Sequence, residues 1–199
     1  MKIKAAGIVA ILLLVPLSLP ASIGVKAGLN FANVTNASSI NASSHTGYVA
    51  GVFLGSSSGG LLGFRTELLY SRQGYDFSSN TATGSVKLDY LLLPVLLVVN
   101  LANIVQVQAG GQLAYLLHAN VDGAGTDDPA ADKLIDIYHR LDYGLAGGVE
   151  ISPFMGFLFG ARINLSFGNL YKNLSNPPTF FPSINAKNNV FSLYAGYRF

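Results

Sequence analysis

Residues 155–168 read MGFLFGARINLSFG. Phe157, Phe159, Ala161, Ile163, Leu165 and Phe167 take every second position; Gly160, Arg162, Asn164 and Ser166 stand between them. Side chains alternate across a β-strand, so this spacing puts one wholly apolar face opposite a face of small, polar and charged groups. The same period flanks it. Over 136–151, Ile137, Leu141, Tyr143, Leu145, Val149 and Ile151 alternate with Arg140, Asp142, Gly144, Gly148 and Glu150. Over 188–199, Phe191, Leu193, Ala195, Tyr197 and Phe199 alternate with Ser192, Gly196 and Arg198.

Further out, 22–33, 61–72 and 104–118 repeat the pattern, with Lys26, Arg65, Glu67 and His118 on the polar side. Two stretches are less regular. Residues 46–55 are apolar or glycine on both faces, which leaves their register open. Residues 84–99 begin with Lys87 and Asp89 opposite Leu88 and Tyr90 and then turn apolar on both sides. The total is eight strands, most of them as long as the ~9–11 residues of a tilted transmembrane strand. The gaps alternate: long at about 34–45, 73–83, 119–135 and 169–187, short at 56–60, 100–103 and 152–154. Short turns at one end and long loops at the other are the mark of an up-and-down membrane barrel.

Composition agrees. Of 199 residues 50% are hydrophobic and 11% charged, against about 25% charged in soluble domains. A disordered chain would carry more charge, and a disulfide-stapled module needs cysteine, of which there is none. A net charge of +2 is too small to hold a polyanion, so no nucleic-acid partner is expected. Residues 1–21, MKIKAAGIVAILLLVPLSLPA, have Lys2 and Lys4 before an apolar run and the small Ala21 at a cleavage position. That reads as a secretory signal peptide, with 22–199 as the barrel domain. The alternative, an anchoring helix, is short before Pro16 for the ~20 apolar residues of a span. In the outer membrane, both mature termini would then lie on the periplasmic, short-turn side and the long loops outside.

Charges indicate which face is wet. Lys26, Arg65, Glu67, Lys87, Asp89, Arg140, Asp142, Glu150, Arg162 and Arg198 fall within the strands and are assigned to the face opposite the apolar set. A charge facing lipid at mid-depth costs ~2–4 kcal/mol, so this set is expected to point inward as a paired network. The interior of an eight-stranded barrel is just wide enough for its own side chains. A plugged lumen is therefore predicted, with Arg65, Glu67, Arg162 and Arg198 in the lower half and Lys87, Asp89, Arg140 and Asp142 near the outer rim. Aromatic residues cluster toward strand ends on the apolar face, as two interfacial girdles require. A soluble lipid-carrying barrel would instead turn its apolar face inward and show more charge to water.

The chain ends on Phe199, after Phe191, Leu193, Ala195 and Tyr197 on the apolar face. This resembles the terminal signal by which the barrel-assembly machinery takes up its substrates. The stretches GVKAGLNFANV (24–34), ELLYSRQGY (67–75), KLDYLLLPVLL (87–97), AGGQLAYLL (109–117) and SLYAGYRF (192–199) resemble the PorT-type outer-membrane β-barrel family. The resemblance implies an eight-stranded barrel with outer-membrane lipid around it and no single activity, although some relatives serve protein secretion and gliding. It makes Pro94 a feature of the fourth strand, where its missing N–H suggests a bulge or strand end.

Neither a cofactor nor a resident metal is called for. His118, read as inward near the rim, would need Asp142 and Ser71 beside it to form a hydrolytic site, and no motif supports one. Asp122, Asp127, Asp128 and Asp132 share a loop without EF-hand spacing. The N-x-S/T triplets at Asn33, Asn36, Asn41, Asn164 and Asn173 read as chance in an Asn- and Ser-rich chain. Phe180 and Phe181, between prolines in the last loop, are candidate contacts for a protein partner or lipopolysaccharide. A non-enzymatic, structural or interacting barrel is the leading reading; a rim enzyme or a small-solute channel are the alternatives.

Overall fold

A computed structural model describes residues 21–35, 43–56, 60–78, 83–102, 104–124, 139–168 and 187–199. Its strands are β1 (Ala21–Thr35), β2 (Ser43–Ser56), β3 (Leu62–Ser78), β4 (Thr83–Ala102), β5 (Val105–Ala124), β6 (Leu141–Ile151), β7 (Phe157–Ser166) and β8 (Lys187–Arg198). Each pairs antiparallel with its neighbours in chain order, and β1 pairs with β8 from Gly24↔Arg198 to Thr35↔Lys187, so the barrel is closed. The Phe199 N–H donates to the Ile23 carbonyl at 2.9 Å, just beyond the last seam pair. Closure gives every central strand two ladder partners, as a strand in hydrocarbon needs. The segment expected to be a signal peptide, apart from Ala21, lies outside the described residues.

The alternation sorts as lipid demands. On β1, β6, β7 and β8 the apolar set faces out: Ile23, Leu29, Leu145, Ile163 and Leu193 are each about half exposed on the barrel's outer wall. Two rows of rings ring that wall. Phe31 meets Phe191 (centroids 6.3 Å apart), Tyr48 meets Tyr70 (5.9 Å) and Tyr143 meets Phe167 (6.4 Å) toward the loop end. Phe157, Tyr197 and Phe199 stack edge to face at 5.1 and 5.3 Å toward the turn end. The open register of β2 resolves with Gly47, Val49, Gly51, Phe53 and Gly55 inward.

Three expectations need correction. First, no long loop separates β3 from β4: β3 runs to Ser78 and β4 starts at Thr83. Strands β4 and β5 are 20 residues each, while β6 and β7 are 11 and 10. Twenty residues at about 3.3 Å each exceed the ~25 Å apolar band even when tilted, so β3–β5 form a wall that rises past the bilayer. Second, Pro94 makes no bulge. It pairs with Gln112 in unbroken register on the β5 side. On the β3 side the ladder skips from Thr66↔Val95 to Leu69↔Leu92 and resumes in the same register. The missing N–H interrupts the ladder locally without shifting it. Third, the β4–β5 register shifts between Asp89↔His118 and Tyr90↔Leu116, so β5 carries one extra residue, Leu117. A bulge reverses the side-chain parity beyond it. His118 therefore faces outward and Ala119, 2% exposed, faces inward.

Above the bilayer the polarity of β3–β5 inverts. Inside, Tyr75, Val86, Leu88 and Leu116 are fully buried. Outside, Arg72, Asp89 and His118 share one row across the three strands, with Lys87 and Asn120 in the next row up. This part of the barrel is arranged like a water-soluble protein.

Candidate functional site: the charge network of the lumen

The turn-side half of the lumen holds two linked clusters. Glu67, on β3, faces Arg162, on β7, across the barrel. Arg162 donates from Nη1 and Nη2 to its two carboxylate oxygens at 2.5 and 3.0 Å, a bidentate pair. Lys26 Nζ lies 2.6 Å from Glu67 Oε2. The Lys26 and Glu67 side chains are 1% and 0% exposed and Arg162 is 3%, so the triad is dry. In the second cluster Arg65 Nη1 donates to Glu150 Oε2 at 2.7 Å and Arg65 Nη2 to Gln106 Oε1 at 3.1 Å. Arg198, 15% exposed, sits 3.8 Å from Glu150 Oε1 at the turn-end mouth. Gln108 joins the two: its Oε1 accepts from Arg162 Nη2 at 2.6 Å and its Nε2 donates to Glu150 Oε2 at 3.1 Å.

Glycine and aromatic residues shape this network. The Tyr194 ring lies 4.3 Å from Lys26 Nζ and 5.4 Å from the Arg162 guanidinium, and Arg65 sits 4.7 Å over Phe53. Both rings lie flat against the wall because Gly160 and Gly24 present no Cβ there; a methyl group at either would overlap the ring of Tyr194 or Phe53. Gly160→Ala is therefore expected to cost ~1–3 kcal/mol by overpacking, read as a lower denaturation midpoint. An unchanged midpoint would show that Tyr194 moves freely. Sequence reading missed these two aromatic positions because Phe53 lay in the stretch of open register and Tyr194 on the polar face.

Of the ten charges assigned to the lumen, Lys26, Arg65, Glu67, Glu150, Arg162 and Arg198 meet there. Asp142 is inward but at the loop end of β6 and forms no part of the network. Its oxygens accept from Ser166 Oγ at 2.5 Å and from the Gly168 and Tyr143 N–H groups at 3.0 and 2.7 Å. Lys87, Asp89 and Arg140 correct the expectation. Lys87 and Asp89 face outward, on the same side of β4 as Leu91 and Leu97, above the aromatic row where water surrounds the wall. There Arg72 Nε and Nη2 donate to Asp89 at 2.7 and 2.9 Å, and Lys87 Nζ donates to Asp122 Oδ2 at 2.6 Å. Arg140 is exposed in the bend before β6 begins. The hydrolytic constellation does not assemble either, since His118 is outside the wall while Ser71 and Asp142 are inside. Among the described residues no group of His, Asp and Glu is arranged to hold a metal. Asp127, Asp128, Asp132, Phe180 and Phe181 lie outside the described residues.

Above the triad the lumen narrows to a pocket of about 10 Å³, room for about one water. Val49, Leu69 and Leu92 cover it on the loop side. A closed antiparallel wall with a greasy exterior, two aromatic rows and a salt-bridged, filled interior defines an integral β-barrel membrane protein of the outer-membrane type. The chain belongs to the outer membrane protein beta-barrel domain family, whose model matches residues 17–172. Among solved structures it is similar to Neisserial surface protein A, at 18% identity over 90% of this chain and 99% of that one, with a TM-score of 0.56. It is also similar to Ail, the attachment invasion locus protein of Yersinia pestis, at 16% identity over 91% of this chain and 100% of that one, with a TM-score of 0.50. These likenesses concern the fold. No curated protein matches the chain.

Proposed function

We propose that the protein is a non-enzymatic outer-membrane barrel whose lumen is closed to solutes and whose function lies in its loops, offered to a protein partner outside the cell. In this reading residues 1–21 are a cleaved export signal, both mature termini are periplasmic, and Phe191, Leu193, Tyr197 and Phe199 carry the assembly signal. The PorT-type resemblance points to protein secretion as the process served. The single observation that supports the reading is the filled lumen: a bidentate Glu67–Arg162 pair spans the interior from β3 to β7, with Tyr194 and Gln108 packed around it. A pore would need that pair to part. Among the described residues, His118 stands outside the wall and Ser71 and Asp142 inside it, so the rim triad weighed above does not form from them.

The test is conductance in planar bilayers. The purified, folded protein is expected to give no steady current above the bare membrane. A stable, reproducible conductance would overturn the closed-lumen reading, and would favour the channel alternative.

A further inference from the structure

We infer that the lumen holds one small monovalent anion of the chloride class, bound in the pocket beside Lys26 and Arg162. The dry triad contains two cations, Lys26 and Arg162, and one carboxylate, Glu67, all within 3% of full burial. With Lys26 protonated, its formal charge is +1. A buried unpaired charge is costly in a low-dielectric surrounding, and the faces of Tyr194 and the oxygen of Gln108 offset that only in part. The second cluster also has two cations to its one carboxylate, but Arg198 reaches the wet turn-end mouth, where solvent screens it. The uncompensated charge in the dry interior is therefore that of the triad.

The same residues have hydrogen-bond donors to spare. Arg162 spends Nη1 and Nη2 on Glu67 and Gln108, while its Nε–H, buried, has no acceptor. Lys26 touches Glu67 and the Tyr194 ring, yet Nζ makes no hydrogen bond of good geometry. Both residues line the pocket of about 10 Å³. Asn164 lines it too; its Oδ1 has no partner and its Nδ2 makes only a 3.4 Å contact with Ser192 Oγ. Ser192 Oγ gives its own hydrogen to Asn30 Oδ1, so Asn164 stays with its Nδ2 toward Ser192, and the donors left for an anion are those of Lys26 and Arg162. Asn30 and Ser192, on the adjacent wall, are already tied to one another at 2.8 Å and hold the site's shape. Cationic donors on one side and the apolar cover of Leu69 and Leu92 on the other suit a singly charged, weakly hydrated anion. The volume excludes sulfate, phosphate and carboxylates of any length.

The experiment is unfolding of the folded protein in detergent micelles in sodium chloride and in sodium gluconate at matched ionic strength. Gluconate is too large for the pocket. The midpoint is expected to be several degrees higher in chloride, the gain saturating with concentration, and Lys26→Met is expected to abolish the difference between the salts. Crystals of the unmodified protein should show an anomalous peak in the pocket at long wavelength, where chlorine scatters and oxygen does not. Equal midpoints in the two salts, a gain that never saturates, a salt difference that persists in Lys26→Met, or pocket density without anomalous signal (a water) would each overturn the inference. Should Lys26→Met fail to fold, the salt comparison and the anomalous map on the unmodified protein decide it.

Discussion

Glu67→Ala is expected to destabilise the barrel by about 3–5 kcal/mol, the usual cost of removing one partner from a buried ion pair. The carboxylate accepts both terminal nitrogens of Arg162, at 2.5 and 3.0 Å, and stands 2.6 Å from Lys26. Its removal leaves Lys26 and Arg162 in a dry interior without their carboxylate, beside the Tyr194 ring and the Gln108 amide oxygen. Denaturant unfolding in lipid vesicles, followed by the gel shift between folded and unfolded forms, measures the loss. The combined replacement of Lys26, Glu67 and Arg162 by Met should recover most of it, because an apolar filling removes the desolvation cost along with the attraction. A loss below about 1 kcal/mol for Glu67→Ala would place the pair on the scale of exposed salt bridges, and would mean that water reaches the triad.

Leu193→Arg should cost ~2–4 kcal/mol, the depth-dependent penalty for a cation on the lipid face near mid-bilayer. Leu193 lies between the Phe191 and Tyr197 rows, paired with Leu29 on β1 and Ala161 on β7, and points out of the barrel. The matched control is Arg72→Leu, on the same outward side of the wall but above the Tyr48–Tyr70 row. Its pair with Asp89 is 35% exposed at the arginine and 11% at the carboxylate, so its loss should cost less, about 1–2 kcal/mol. Comparable costs for the two variants would refute the assignment of depth, and with it the account of why Lys87 and Asp89 face outward.

Depth in the bilayer is where sequence and structure part. The strand set and the outward faces of β1, β6, β7 and β8 follow from period two alone, since each strand's alternation is a local property. Arg65, Glu67, Arg162 and Arg198 were legible as inward because they interleave with residues that are unmistakably apolar, such as Phe64, Leu68, Ile163 and Tyr197. Lys87 and Asp89 were assigned by the rule that charge marks the lumen. Yet they stand in phase with Leu91, Leu93, Val95 and Leu97, on one face of one strand. The phase was there to be read; the missing quantity was height. His118 was lost for a different reason, because the extra residue Leu117 on β5 reverses the parity on which the reading relied.

Composition and alternation were enough to specify a sealed cylinder with its greasy side in hydrocarbon, because both are properties of short stretches of chain. Which cation meets which carboxylate was not available there. Glu67 and Arg162 are 95 positions apart and on non-adjacent strands. They meet because the curvature of a closed eight-stranded wall brings opposite sides within reach of two side chains. The same holds for the depth of each residue in the bilayer, which depends on how far β3–β5 rise above their shorter neighbours. Closure and relative strand height are collective properties of the sheet, and they turn a local pattern into an interior with a charge imbalance and a place to put an ion.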